Sequence, residues 1–147
     1  MALVDDKFTT TVLINSEPSL IWGALTDSTW MLKWLGEPEM KLEIDTDWRI
    51  GSPIFIRGFH HVKFENKGIV LEYVKDKRLV YSHLSSLSRL PDMPASYSIL
   101  EFELAPQASM TQLNLTITNF PTDSIRKHLE FYWRATILRI KNSIEEE

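Results

Sequence analysis

The feature that most constrains the fold is an amphipathic segment near the end of the chain, residues 125–144, with the sequence IRKHLEFYWRATILRIKNSI. It contains neither Gly nor Pro, and Thr122, just after Pro121, is a suitable N-cap. At the period of an α-helix, its apolar side chains fall on one stripe about 140° wide. The pattern predicts a long helix that covers an apolar surface with Ile125, Leu129, Tyr132, Trp133, Thr136, Ile137, Ile140 and Ile144.

Most of the chain before this helix alternates between apolar and polar residues, as β-strands do. In the last such segment, Leu113, Leu115 and Ile117 face one side, whereas Asn114 and Thr116 face the other. Strands with one apolar and one wet face, joined by short connections, are typical of an antiparallel sheet. Seven strands are predicted, over residues 8–14, 40–45, 52–59, 68–75, 78–84, 98–104 and 112–118.

Two short helices are predicted between the first two strands. Pro18 suits the first turn of one helix, and Trp30 and Trp34 belong to the next, which Gly36 and Pro38 end. Residues 85–95, SSLSRLPDMPA, are rich in Ser and Pro and predict a mobile loop.

This order of elements predicts an α+β fold in which a curved seven-stranded antiparallel sheet wraps around the C-terminal helix. A sheet that is wet on one side must cover its other side, and one long amphipathic helix can do so. Strand twist makes such a sheet bend around the helix. A length of 147 residues suits a single domain, 1–147.

Composition excludes several classes of function. The net charge is -4 and no basic cluster is present, which argues against nucleic acid as a partner. Cysteine is absent, so disulfides and thiolate chemistry are excluded. No apolar run is long enough for a membrane helix, and the N-terminus lacks the pattern of a signal peptide. We therefore expect a cytoplasmic protein without a membrane partner.

Four segments carry a resemblance to a known family. They are EPSLIWGALTD at 17–27, DWRIGSPIFIRG at 47–58, KGIVLEYVKDKRLVYSH at 67–83 and NFPTDSIRKHLEFYWRATILRI at 119–140. The chain resembles the helix-grip fold of the START and birch-pollen-allergen (SRPBCC) superfamily. Within that superfamily it is similar to the family related to the C-terminal domain of the activator of heat shock protein 90 ATPase. Two positions depart from the family pattern: Ser52 follows Gly51 where a second Gly is frequent, and Tyr132 precedes Trp133 where Gly is usual.

The resemblance implies that a small apolar ligand lies between the sheet and the last helix. Large flat side chains suit such a site, and Tyr OH and Trp NH groups supply directional polar contacts. The same rings can instead fill the space completely, and the sequence leaves these two alternatives open. The candidate lining residues are Trp30, Trp34, Trp48, Phe55, Tyr81, His83, Tyr97, Phe120, Leu129, Tyr132, Trp133 and Ile137.

No pattern in the sequence predicts a metal site, a cofactor or a catalytic centre. His60 and His61 are adjacent, so on a strand they point to opposite faces and cannot bind one ion together. No two His residues have the helical spacing of zinc sites, and no nucleophile motif is present. Glu101 and Glu103 fall on the wet face of their strand.

Two charged residues lie on strands whose inner face the sequence does not fix. Arg57 is in phase with Phe55, and Glu72 is in phase with Val70 and Val74. We favour the orientation in which Arg57 and Glu72 point to solvent, since a buried charge needs a partner. The inward residues are then Ile54, Ile56, Ile69, Leu71 and Tyr73.

Three functions fit these observations. The first is non-enzymatic binding of a small hydrophobic or aromatic molecule between sheet and helix. The second, which the family resemblance implies, is a co-chaperone interaction with a heat shock protein 90 homologue. The third is a cyclase or aromatase, with His83 or Arg57 as the candidate acid or base.

Phe131 and Leu138 break the pattern of the last helix, since they lie on the side opposite its apolar stripe. They predict a small apolar patch. The patch fits either a monomer, in which the 85–95 loop covers it, or a weak homodimer.

Overall fold

The computed structural model describes residues 7–146 and confirms the predicted order of elements. Strand β1 (Lys7–Ile14) is followed by helices α1 (Pro18–Thr26) and α2 (Ser28–Leu35). Six strands and helix α3 (Asp123–Glu145) complete the fold. The strands are β2 (Glu43–Asp45), β3 (Pro53–His60), β4 (Val62–Val74), β5 (Arg78–Ser85), β6 (Ser98–Gln107) and β7 (Met110–Thr118).

All neighbouring strands are antiparallel and form one curved sheet in the order β1–β7–β6–β5–β4–β3–β2. The first strand, β1, therefore pairs with the last strand, β7. Helix α3 lies against the inner face of the sheet. The predicted α+β helix-grip architecture is confirmed. None of the helices in the described part of the chain is long and apolar enough to cross a membrane.

Directly paired residues of antiparallel strands point to the same face, so the register defines the inner face row by row. One row, Val70, Tyr81, Leu100 and Ile117, crosses four strands and is buried throughout. We call it the buried row. The other face carries polar and charged side chains, as the alternation predicts, together with apolar ones that include the buried Val80 and Leu84.

A β-bulge in β4 changes the predicted inner face of that strand. The register shifts between Val70 and Glu72. Val70 therefore points inward, whereas Glu72 lies on the outer face, where its carboxylate accepts a hydrogen bond from Arg78. Glu72 is therefore outward as predicted, but Ile69 and Leu71, expected to face inward, are exposed. The extra residue of a bulge reverses the alternation, and periodicity alone does not reveal it.

Hydrogen bonds fix α3 at both ends. The Thr122 hydroxyl accepts from the Ile125 N–H at 3.1 Å, which confirms the predicted N-cap. Near the other end, Lys141 Nζ donates to the Leu13 carbonyl at 2.7 Å, and the Glu145 carboxylate accepts from the Asn15 N–H at 2.8 Å. The C-terminal half of α3 is thus held beside the end of β1.

Candidate functional site

Aromatic side chains fill much of the space between the sheet and α3. Trp133 of α3 lies 6.2 Å from Trp34 of α2 and 5.7 Å from Phe102 of β6, measured between ring centroids. Phe102 contacts Tyr81 at 6.0 Å, and Tyr81 contacts Trp48 at 6.2 Å. These five residues and Tyr132, whose ring meets Trp133 at 5.2 Å, are called the aromatic cluster. Its continuous ring contacts are those of a packed core.

Polar atoms of three of these aromatic rings form hydrogen bonds with the protein backbone. Trp34 Nε1 donates to the Ala24 carbonyl at 2.9 Å, and Trp48 Nε1 donates to the Thr26 carbonyl at 2.7 Å. The Tyr132 hydroxyl donates to the carbonyl of Leu35 at 2.6 Å. These bonds tie α3 and the loop before β3 to α1 and α2. The N–H groups of Trp34 and Trp48 and the Tyr132 proton are therefore engaged, contrary to the expectation that they contact a ligand.

Burial decreases along the inner face towards the end of the sheet that holds the N-terminal half of α3. Next to the buried row lie His83 and Ser98, which pair directly, with Ile54 on β3. His83 is half-buried there. In the following row, Asn66 and Ser85 pair directly and are both half-buried, as is Ile44 at the β2 edge. The inner face thus opens to solvent at this end.

Four uncharged polar side chains meet where the inner face opens. Asn66 pairs with Ser85, and His83 pairs with Ser98, across three adjacent strands. Cross-strand partners have Cβ atoms about 5 Å apart, so the four form one surface, which we call the polar patch. Within residues 7–146, the side chains of Asn66, His83 and Ser98 form no hydrogen bond. Ser98 is nevertheless only 1% exposed.

The environment of His83 keeps its imidazole neutral. Burial lowers the pKa of His83 to about 4, and neighbouring His128 of α3 contributes in the same direction. At neutral pH the ring therefore offers one N–H donor and one nitrogen acceptor.

Apolar side chains border the polar patch. Phe64 is two residues from Asn66 on the same face of β4 and is half-buried. Leu42 and Ile44, at the edge of the sheet, are half-buried as well. These residues give the open end an apolar wall beside a polar centre. We call this region the open groove.

The structure brings most of the predicted lining residues together, although the aromatic cluster fills the space between them. Nine belong to the core or pack against it: Trp30, Trp34, Trp48, Tyr81, Phe120, Leu129, Tyr132, Trp133 and Ile137. His83 lies in the polar patch. Each of the ten therefore faces the interior or its open end.

Phe55 and Tyr97 lie elsewhere, contrary to the prediction. Phe55 alternates with the buried residues Ile54 and Ile56, so it is on the outer face, where the Arg57 guanidinium lies 4.6 Å from its ring centroid. The Tyr97 hydroxyl donates to Asp92 at 2.5 Å, and burial together with that carboxylate raises the pKa of Tyr97 to about 12. The predicted outward orientation of Arg57 places Phe55 outside as well, because the two share a phase.

The sequence patterns do not identify three residues of the polar patch, which are Asn66, Ser85 and Ser98. Strand β4 begins at Val62, whereas the predicted strand began at residue 68. The sequence predicts that Ser85 belongs to the 85–95 loop and that Ser98 is a strand residue without a role in binding. The phase of Phe64, Asn66 and Gly68 is the signal that connects this segment to His83.

The described residues contain no group of three or more His, Cys, Asp or Glu side chains that could hold a metal ion. Within that same part of the chain, no carboxylate or nucleophile is hydrogen-bonded to His83. Arg57, the other candidate acid or base, donates from Nε to Glu65 at 2.8 Å on the outer face.

The outer face of α3 carries a second feature. Phe131 is 81% exposed and Leu138 is 52% exposed. A surface hollow of about 440 Å³ is lined by Lys127, Glu130, Phe131, Arg134 and Ala135. The predicted apolar patch is therefore present on the surface.

Comparisons with known proteins agree with this architecture. The family described as Activator of Hsp90 ATPase homolog 1-like protein matches residues 15–145. No curated protein sequence matches the chain. A protein from Cytophaga hutchinsonii is 25% identical, with a TM-score of 0.80, and the alignment covers 99% of this chain and 97% of that one.

Two further solved structures share the fold. A protein from Chromobacterium violaceum is 19% identical with a TM-score of 0.82, over 97% of this chain and 99% of that one. The Aha1 dimer from Colwellia psychrerythraea is 22% identical with a TM-score of 0.74, over 95% and 96% of the two chains. The family match covers most of the sequence, and the strand order and terminal helix agree with it. The chain belongs to the Activator of Hsp90 ATPase homolog 1-like protein family.

Proposed function

We propose that this chain is a cytoplasmic, non-enzymatic protein that binds a small hydrophobic or aromatic molecule in the open groove. The observation that carries the proposal is the polar patch, in which the side chains of Asn66, His83 and Ser98 form no hydrogen bond within residues 7–146. Asn66 and His83 are half-buried where the inner face opens, and Ser98 is buried beside them. An unpaired polar group that is partly removed from water costs stability. A ligand that hydrogen-bonds to these groups recovers that loss.

The site in this proposal is smaller than the cavity that the sequence suggested. The aromatic cluster occupies the deeper interior, so the ligand is placed beside it. Phe64, Leu42 and Ile44 supply apolar contact, and the polar patch orients the polar end. This combination of apolar walls and few polar groups is usual for small-molecule sites.

The test uses two neighbouring positions that point to opposite faces. Asn66→Phe fills the groove, whereas Lys67→Phe places the same ring on the outer face, since Lys67 pairs with the outward Phe55. Amide chemical shifts would be followed by NMR during titration with small aromatic compounds. We expect saturable shifts around His83 and Ser98 in the wild type and in Lys67→Phe, and none in Asn66→Phe. Equal binding by all three proteins, or by none of them, contradicts the proposal.

A co-chaperone role is the second candidate, and it is supported by the family to which the chain belongs. It predicts co-precipitation with a heat shock protein 90 homologue and stimulation of its ATPase. Asn66→Phe separates the two functions, because blocking the groove removes ligand binding without altering the outer surfaces of the protein. Loss of ATPase stimulation in Asn66→Phe would indicate that the groove itself contacts the partner.

We also propose that Phe131 and Leu138 support a weak homodimer. The two residues are two helical turns apart on one side of α3, with the small Ala135 between them. A two-fold pairing would bring Phe131 of each copy against Leu138 of the other. The solved Colwellia psychrerythraea protein is described as a dimer.

Sedimentation velocity over a range of concentrations tests this pairing. We expect Phe131→Asp to remain a monomer where the wild type associates. Leu32→Asp is the matched control, since Leu32 is an exposed apolar residue on α2. A wild type that is monomeric at all concentrations excludes the dimer.

A further inference from the structure

The charged side chains of the four strands around the groove all point away from it. The strand register places the Lys, Arg and Glu side chains of β3 to β6 on the outer face. Several form ion pairs with one another there, and Lys67 forms an ion pair with Asp92 of the 85–95 loop. The outward residues are Arg57, Lys63, Glu65, Lys67, Glu72, Arg78, Glu101 and Glu103.

Charged side chains on α3 and beside it are also occupied. Lys127 pairs with Asp123, and Arg139 pairs with Glu37. Arg126 and Glu130 pair with each other at 2.8 Å. His128 is the titratable α3 group that acts on His83. Within residues 7–146, no Lys, Arg, Asp or Glu side chain of β3 to β6 lies on the inner face, so the polar patch offers a ligand dipoles and no fixed counter-ion.

The polar patch suits a group that both donates and accepts a hydrogen bond. Neutral His83 has one donor and one acceptor, and the Asn66 amide and the Ser98 hydroxyl each offer both. The Ser85 hydroxyl already accepts from the Leu87 N–H at 3.2 Å, which leaves its own proton to donate. A hydroxyl can satisfy such partners. A carboxylate or an ammonium would lose its hydration without gaining an opposite charge.

We propose that the polar patch selects ligands whose polar end is an uncharged hydroxyl, an alcohol or a phenol, over carboxylates and ammonium compounds with the same apolar part. This inference rests on the proposed function, since it assigns the ligand class of the same groove. It goes beyond that function because it predicts which of three otherwise matched molecules binds.

Phenylpropanol, phenylpropanoate and phenylpropylamine provide the test, because they share one hydrocarbon and differ in the polar group. Each would be titrated into the full chain at neutral pH and followed by the amide shifts of residues in β4, β5 and β6. We expect phenylpropanol to bind at least about tenfold more tightly than either charged compound. Ser98→Ala is expected to weaken phenylpropanol about threefold to tenfold and to leave the charged compounds unchanged, in keeping with the loss of one hydrogen bond.

Ser109→Ala is the control, because Ser109 lies in the exposed turn after β6. Tighter binding of the carboxylate or the amine at the same amides overturns the ligand class but leaves the groove as a binding site. Equal affinity for all three compounds does the same. If none of the three compounds shifts these amides, the proposed function fails together with the inference.

Discussion

Removing the imidazole of His83 is expected to make the stability of the protein less dependent on pH between about pH 7 and pH 5. Burial lowers the pKa of His83 from 6.5 to about 4 in the folded chain. The unfolded chain retains the ordinary pKa, so on acidification it binds a proton that the folded chain does not. The stabilisation is complete above about pH 7, falls as the pH drops, and levels off once the pH is below about 4.

The size of this effect follows from the two pKa values. A difference of one pKa unit corresponds to about 1.4 kcal/mol, so the full difference is about 3.4 kcal/mol, of which about 2 kcal/mol is lost by about pH 5. His83 is only half-buried, and water screens part of its charge. We therefore expect the wild type to lose about 1 kcal/mol near pH 5 through this residue.

Urea unfolding near pH 7.5 and near pH 5 measures the effect in wild type, His83→Leu and His61→Asn. His61 is exposed and has a φ of 64°, a conformation that Asn tolerates, so this variant removes a His without changing the groove. Carboxylates titrate alike in all three proteins. The wild type and His61→Asn should lose about 1 kcal/mol more than His83→Leu. An equal loss in His83→Leu would refute the desolvation of His83 and, with it, the neutral imidazole that the polar patch requires.

Three further substitutions test the packing, each by urea or thermal unfolding. Trp133→Ala opens a cavity in the aromatic cluster and should lower the free energy of unfolding by about 3–5 kcal/mol. Phe131→Ala, on the exposed side of the same helix, should change it by less than about 0.5 kcal/mol. Similar losses in the two variants would contradict the assignment of the helix faces. Gly68→Ala would place a Cβ atom 1.7 Å from the Ser82 carbonyl oxygen, so we expect at least about 2 kcal/mol of destabilisation, and an unchanged melting temperature would show that the strands do not approach so closely. Thr122→Ala should lose about 1 kcal/mol through the missing N-cap, and Thr122→Ser should restore it; equal stability of all three forms would exclude the cap.

The sequence predicted the architecture because its strongest patterns are local. The period of residues 125–144 defines α3, and Thr122 begins it as expected. Alternation in residues 112–118 assigned Leu113, Leu115 and Ile117 to the inner face, where they are buried. Such patterns arise because one face of a helix or strand is buried, so the sequence of that segment alone is enough to predict them.

The site could not be predicted as well, because it depends on how elements meet. The bulge in β4 inverts the expected faces of Ile69 and Leu71. The first half of β4 carries polar residues and lacked the alternation used to identify strands. Whether Trp34 and Trp133 line a cavity or fill a core is decided by the 6.2 Å between their rings, a distance between two helices that neither segment encodes alone.

The two halves of α3 have different surroundings. The C-terminal half contributes to stability, and the N-terminal half lies near the proposed binding site. The C-terminal half contributes Ile137, Ile140 and Ile144, all buried, and is tied to β1 by Lys141 and Glu145. The N-terminal half lies towards the polar patch, whose Asn66 and His83 side chains are half-buried and keep partial access to water. Apolar residues at the strand positions of the patch would bury more apolar surface and stabilise the fold further, as the buried row does one step away. The polar patch therefore adds less to stability than apolar residues at the same positions would, and for that reason the proposed function places its ligand there.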